Sequence, residues 1–226
     1  LFLSRDRFGV KPLYYYEENH NFYFASEMKA FFPVMSERKI NYHVFESKNY
    51  FAYEATPDCC IRGIHKVGAG QCGYVKNGRL DLYRWWNTLD HLMDVPQKYD
   101  DQVECLRQLF LDACRIRMRS DVPIGTALSG GVDSSAVVGA LKLVSNQSEE
   151  YAADWQHAYV ASMPNTRLDE TQYAEIAAAY VGLEIKKVLI ETVPAEELFR
   201  YMYICEDPYI TSPVPFMQTY GAIGAD

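Results

Sequence analysis

The stretch Ser129-Gly130-Gly131-Val132-Asp133-Ser134-Ser135 holds the residue types best suited to chemistry in this chain. Two adjacent glycines tolerate positive φ and let a backbone come close to a ligand. Ser129, Ser134 and Ser135 add hydroxyl donors. Asp133 would repel a bare phosphate, so it implies a hard cation, most simply Mg²⁺, between carboxylate and phosphate. Together these residues suit the gripping of a polyphosphate. No lysine follows the glycines, which separates the stretch from the Gly-x-x-x-x-Gly-Lys-Ser/Thr loop of kinase-type phosphate binders.

Flanking elements must hold such a turn. Ile124 to Leu128 is small or apolar and suits a buried parallel strand, and Ser134 to Leu143 is rich in Ala, Val and Leu and suits a helix. A strand turning into a helix through glycines leaves orphan N–H groups at the positive end of the helix dipole, the usual place for an anion. The alternation repeats. Trp155 to Met163 reads as a second strand, Asp169-Glu170 opens a helix ending at Val181-Gly182, Leu183 to Leu189 reads as a third strand, and Pro194 to Tyr203 as a third helix. This predicts an α/β fold, a parallel sheet with flanking helices and its ligand beyond the carboxyl ends of the strands.

Upstream, Val103, Leu106, Phe110, Ala113, Cys114 and Arg117 share helical spacing, with Asp100 and Asp101 suited to the helix start and Arg115, Arg117 and Arg119 to its end. Residues 87–100 read as a polar linker, which places a domain boundary between 1–95 and 96–226. Before it, Leu1 to Ser26 reads as an antiparallel hairpin with a charged corner at Arg5, Asp6 and Arg7 and a polar loop at Glu17 to Asn21, and Glu27 to Phe32 can start a short helix. Tyr42, Phe45, Tyr50, Phe51 and Tyr53 punctuate a helix closed by Ala55-Thr56-Pro57, and two strands flank the Lys76 to Arg79 turn. Glu206 to Pro213 reads as a rigid polar loop that could wall a pocket.

Composition narrows the classes. The 226 residues are 49% hydrophobic, enough for a core, and the net charge of -8 leaves no basic footprint for nucleic acid. No apolar run is long enough to span a membrane. The six cysteines lack Cys-x-x-Cys spacing, which fits reduced thiols in a cytoplasmic protein, and the five histidines make no zinc pair.

Two segments also carry a family likeness. Ser129 to Ser135 after its apolar strand resembles the pyrophosphate loop (PP-loop) of the N-type, adenine nucleotide alpha-hydrolase-like ATP pyrophosphatases. Ser4-Arg5-Asp6-Arg7-Phe8-Gly9-Val10-Lys11-Pro12-Leu13-Tyr14-Tyr15, with Phe24-Ala25-Ser26-Glu27-Met28-Lys29-Ala30, resembles the end of the glutaminase domain of glutamine-hydrolysing asparagine synthetases, an N-terminal-nucleophile (Ntn) αββα sandwich. Ala69 and Gln71 stand where that family often has proline and histidine.

The resemblance implies a carbon–nitrogen ligase using aspartate, glutamine and ATP with Mg²⁺, through β-aspartyl-AMP. It allows a homodimer. It places ATP on Leu128, Ser129, Gly130, Gly131, Asp133, Ser134, Ser135 and Ala161, with adenine near Leu128 and Ala161 and the metal on Asp133. Position 1 is leucine, not the family's nucleophilic cysteine, and the second ATP motif, Ser-Gly-Glu-Gly-x-Asp-Glu, is absent, so no catalytic residue is assigned. A fragment of a longer protein is therefore expected. The alternatives are a β-lactam synthetase-like ligase that adenylates a carboxylate and closes a ring, or a fragment that only binds nucleotide.

Overall fold

Short aromatic-rich runs near the start of the chain pair as antiparallel strands in the computed structural model, which describes residues 1–46, 56–147, 155–206 and 212–225. The chain divides into two compact units, 1–93 with 202–211, and 94–201 with 212–226.

The first unit carries two three-stranded sheets. In one, β1 (Phe2–Ser4) pairs with β5 (Gln71–Lys76), which pairs with β6 (Arg79–Arg84). In the other, β2 (Tyr14–Glu18) lies between β3 (Asn21–Ala25) and β4 (Ile64–Lys66). Tyr16, Met28, Phe31, Cys59 and Ile64 form its buried core. The expected loop at Glu17 to Asn21 is tighter than the sequence suggested. Pairing continues to Glu18↔Asn21, and only Asn19 and His20 turn, both with positive φ, which matches the twist of the flanking strands.

The charged corner is not a salt bridge. The Arg5 guanidinium donates to the carbonyls of Lys11, Val67 and Gly9 at 2.9, 2.6 and 2.8 Å. The Asp6 carboxylate accepts from the N–H groups of Phe8, Val10 and Lys11 at 3.1, 3.0 and 2.9 Å. Those backbone bonds hold the Asp6 carboxyl below its usual range.

The expected helix around Tyr42 is a short one, α1 (Tyr42–Glu46); Tyr50, Phe51, Tyr53 and Ala55 lie outside the described residues. Residues Glu27 to Phe32 form a 3-10 turn over Met28–Phe31. Glu206, expected in a pocket wall, lines a cavity of about 240 Å³ with Met28, Lys29 and Phe32, accepts from the N–H groups of Met28 and Lys29 at 2.7 Å each and pairs with Lys29 Nζ at 3.2 Å. The rest of that loop, 207–211, lies outside the described residues.

The second unit opens with α2 (Tyr99–Arg117). Cys114 is its buried residue, packing with Met118 against the next helix, while Val103 and Leu106 on the expected apolar face are exposed. Arg115 pairs with Asp112, and Arg117 donates to the Ala113 carbonyl at 2.9 Å, both local helix-end contacts. A parallel sheet follows, made of β7 (Ile124–Ala127), β8 (Gln156–Ser162) and β9 (Ile185–Leu189) in that order.

Helices α3 (Val132–Ser145) and α4 (Thr171–Val181) pack on the sheet through Leu128, Val138, Ala158, Val160, Ala174 and Ala178. Gly182 ends α4 with φ 70, the left-handed stop that glycine accepts most readily. After α5 (Ala195–Cys205), the sequence Val214 to Ala225, which carried no helix signal in the reading above, forms α6. Pro215 is tolerated because it sits in the first turn. Gln218 holds α6 beside the end of β9 by bonding both the N–H and the carbonyl of Glu191 at 2.9 and 3.1 Å. No helix among the described residues is long and apolar enough to cross a membrane, and none of the six cysteines is in a disulfide.

Candidate functional site

Strand β7 is short because its chain leaves the sheet early. Its last ladder contact is the Leu128 N–H on the Tyr159 carbonyl at 2.7 Å, after which the chain turns through Ser129, Gly130 and Gly131 into α3. Strand β8 runs on to Ser162, paired with β9. Successive residues of a strand point their backbone groups to alternate sides, so the N–H and carbonyl of Ala161 face the side of Tyr159, where β7 has already turned away.

Gly130 is the residue that makes this turn. Its φ is +77, and a Cβ there would sit 2.4 and 2.5 Å from the backbone of Tyr173 and Ala174 in the first turns of α4. Gly131 was expected to use the same freedom and does not. At φ -68 and ψ 162 it is an ordinary extended N-cap, and no side chain caps the helix. The N–H groups of Val132, Asp133 and Ser134, the start of α3, bond to nothing among the described residues. They are orphan donors at the positive end of a 14-residue helix.

The serines divide the labour differently from the sequence expectation of three free donors. Ser129 Oγ and Ser134 Oγ lie 3.0 Å apart; Ser129 Oγ accepts the Gly131 N–H, and Ser134 Oγ donates to the Gly131 carbonyl. Both therefore brace the loop. Ser135 is anchored by its N–H on the Gly131 carbonyl at 3.0 Å. Asp133 is exposed, and its carboxylate has no partner among the described residues. No group of three or more His, Cys, Asp or Glu gathers among the described residues, so Asp133 is the loop's own candidate metal ligand.

Beside the loop opens a cavity of about 320 Å³, within the range that small ligands occupy. Leu128, Ser129 and Ala161, all named from sequence, line it. So does Met163, expected at the carboxyl end of the second strand, and so do Tyr159, Leu168, Glu170, Pro215, Phe216, Thr219 and Tyr220, which sequence reasoning missed. Four of these come from α6, and nothing in the order of residues signals that α6 folds back over β8. Gly130, Gly131, Asp133, Ser134 and Ser135 belong to the adjoining loop rather than the cavity wall.

The far rim is held by Asp169. Its Oδ1 accepts from the Met163 N–H, the Thr171 N–H and the Thr171 hydroxyl at 3.3, 3.3 and 2.5 Å. The Thr171 hydroxyl first, then those backbone groups, keep the Asp169 carboxyl below its usual range. This network fixes the segment carrying Met163, Leu168 and Glu170.

A parallel sheet flanked by helices, with an uncapped helix start and an apolar cavity at the carboxyl ends of its strands, defines an α/β domain built to hold a ligand there. The chain belongs to the asparagine synthase family, whose model matches residues 105–226. A second model, the glutamine amidotransferase domain, matches residues 1–86. A protein of Methanocaldococcus jannaschii provisionally named asparagine synthetase (glutamine-hydrolyzing) 2 is 32% identical over 217 residues, covering 92% of this chain and 40% of that protein. Asparagine synthetases (glutamine-hydrolyzing) 1 and 2 of Bacillus subtilis are 28% and 30% identical, each over 92% of this chain. The chain spans 32% and 29% of their lengths, so it corresponds to less than half of each of these relatives.

Proposed function

We propose that the second unit grips ATP and splits it between the α- and β-phosphates, and that the whole protein is a glutamine-dependent ligase converting aspartate to asparagine. On this reading residues 96–226 are the start of a PP-loop synthetase domain, and residues 1–95 are the end of an Ntn-type glutaminase domain. The observation that carries it is the loop from Ser129 to Ser135. Its N–H groups at the start of α3 and its carboxylate, without partners among the described residues, follow directly on Ser129, which lines an apolar cavity, in a chain whose relatives are named as glutamine-hydrolysing asparagine synthetases.

Adenine fits against Leu128 and Ala161, with the free backbone groups of Ala161 available to its edge. The phosphates then lie over the start of α3, where the N–H groups of Val132, Asp133 and Ser134 donate to the pyrophosphate oxygens as negative charge grows on them. Ser129 and Ser134 keep the loop in that shape. Asp133 suits Mg²⁺, because it offers hard carboxylate oxygens at an exposed position with no competing cation bonded to them. When bound, the ion would neutralise phosphate charge.

The aspartate side-chain carboxylate attacks the α-phosphorus; an O–P bond forms, the Pα–O bond to the β-phosphate breaks, and pyrophosphate leaves. Ammonia released from the glutamine amide then attacks the activated carbonyl carbon. A C–N bond forms, and the C–O bond to AMP breaks.

The test is product identity in the full-length protein supplied with glutamine, aspartate and ATP–Mg²⁺. Phosphorus NMR should show AMP and pyrophosphate, and Asp133→Ala should abolish both while sparing glutamine hydrolysis. Formation of ADP and phosphate, or asparagine formation retained in Asp133→Ala, would overturn the reading.

A further inference from the structure

Glu170 is the only charged side chain among the described residues that line the cavity beside the loop. Its carboxylate has no task in the fold. Glu170 is the N-cap of α4, where a side-chain oxygen normally accepts a helix N–H, and it makes no such bond. Its neighbour Asp169 takes the Thr171 N–H instead. Glu170 is exposed, and its carboxylate has no partner among the described residues.

The backbone fixes where Glu170 stands relative to the loop. Its carbonyl accepts the N–H groups of Tyr173 and Ala174 at 3.0 and 3.1 Å. Those same two residues press on Gly130, where a Cβ would lie 2.4 and 2.5 Å from their backbone atoms. The turn that Glu170 heads therefore packs on the glycine of the loop. Its side chain lines the same cavity as Ser129, the first residue of that loop.

Chemistry decides what such a carboxylate can hold. An ionised carboxylate accepts hydrogen bonds, donates none and repels phosphate. Between its base and its phosphates a nucleotide carries two donors, the hydroxyls of its ribose. The rest of the cavity is mostly apolar and suits the base, the phosphates belong at the start of α3, and the sugar joins the two. We infer that Glu170 reads the sugar: its carboxylate accepts the 2′- and 3′-hydroxyls of a bound ribonucleotide, which makes it a specificity-determining residue against deoxynucleotides. Dinucleotide-binding parallel sheets hold a ribose hydroxyl on a carboxylate in the same way. The inference rests on the nucleotide reading above.

The test measures, by calorimetry at fixed Mg²⁺ and ionic strength, the binding of ATP, 2′-deoxy-ATP, 3′-deoxy-ATP and inorganic pyrophosphate to the full-length protein and to its Glu170→Ala variant. The wild type should bind ATP roughly ten-fold tighter than at least one deoxy analogue, the worth of a charge-assisted hydrogen bond at an exposed site. In Glu170→Ala that preference should disappear, while pyrophosphate affinity does not fall. The melting temperature of the ligand-free variant should stay close to that of the wild type, since an exposed side chain without partners has been removed. A wild type that binds ATP and both analogues equally overturns this inference alone, and so does a variant that keeps the preference. A loss of pyrophosphate affinity as large as that of ATP would put the carboxylate on the metal and overturn it too. A wild-type protein that does not bind ATP overturns the nucleotide reading and takes this inference with it.

Discussion

Two polar turns follow short apolar strands in this chain, and they are opposites. The corner from Arg5 to Lys11 spends its charge inward. Arg5 saturates three carbonyls and Asp6 saturates three N–H groups, so neither of these two charges is left for a ligand. The loop from Ser129 to Ser135 does the reverse. The Ser129 and Ser134 hydroxyls brace the backbone, while its N–H groups at the start of α3 and its single carboxylate have no partner among the described residues. Charged residue types alone do not separate a scaffold from a site; the count of unsatisfied donors and acceptors does.

The comparison can be broken by substitution. The largest expected effect is at Gly130. Alanine there would combine positive φ with a Cβ driven into the α4 backbone, which should cost about 3 kcal/mol or more and abolish nucleotide binding. Urea unfolding and calorimetry together check it, and a stable, ATP-binding variant would show that the turn does not need glycine. Next is Arg5→Ala. Leaving three carbonyls without a charge-assisted donor should destabilise the first unit by roughly 2–4 kcal/mol. Nucleotide binding by protein that remains folded should be untouched.

Acid should act on the cavity rim. The folded pKa of Asp169 lies below its unfolded value, so its contribution is full above the usual aspartate pKa and is lost as pH falls from about 4 through the lowered value. In acid unfolding, the wild type should lose more stability over that range than Asp169→Asn; parallel curves would show that the Asp169 carboxylate does not hold the rim. The smallest effect on stability belongs to Asp133→Asn, within about 0.5 kcal/mol because the side chain is exposed and partnerless. That same change should cost Mg²⁺–ATP affinity, which separates a ligand group from a structural one.

Much of the second unit was legible in the sequence because its signals are local. The apolar run Ala158-Tyr159-Val160 became the buried middle strand, and Gly182 stopped its helix where expected. The loop was legible for the same reason, since strand, glycines and helix are contiguous. What escaped was contact between distant segments. Pro213, Pro215, Gly221 and Gly224 made α6 look like irregular chain, so Phe216 and Thr219 could not be placed against Leu128 and Ala161. Gly125 was another silent signal. A Cβ there would lie 2.3 Å from Ile223 Cγ2, and only the folded chain shows that α6 presses on β7 at that point. At the corner, the sequence showed the charges but not that their partners were backbone groups.

The central contrast is best tested amide by amide. Titrating this chain, labelled with nitrogen-15, with pyrophosphate–Mg²⁺ should shift the backbone amides from Ser129 to Ser135, largest at Val132, Asp133 and Ser134, and leave those from Arg5 to Lys11 unmoved. Shifts at the corner, or a loop that does not respond at saturating pyrophosphate, would contradict the account.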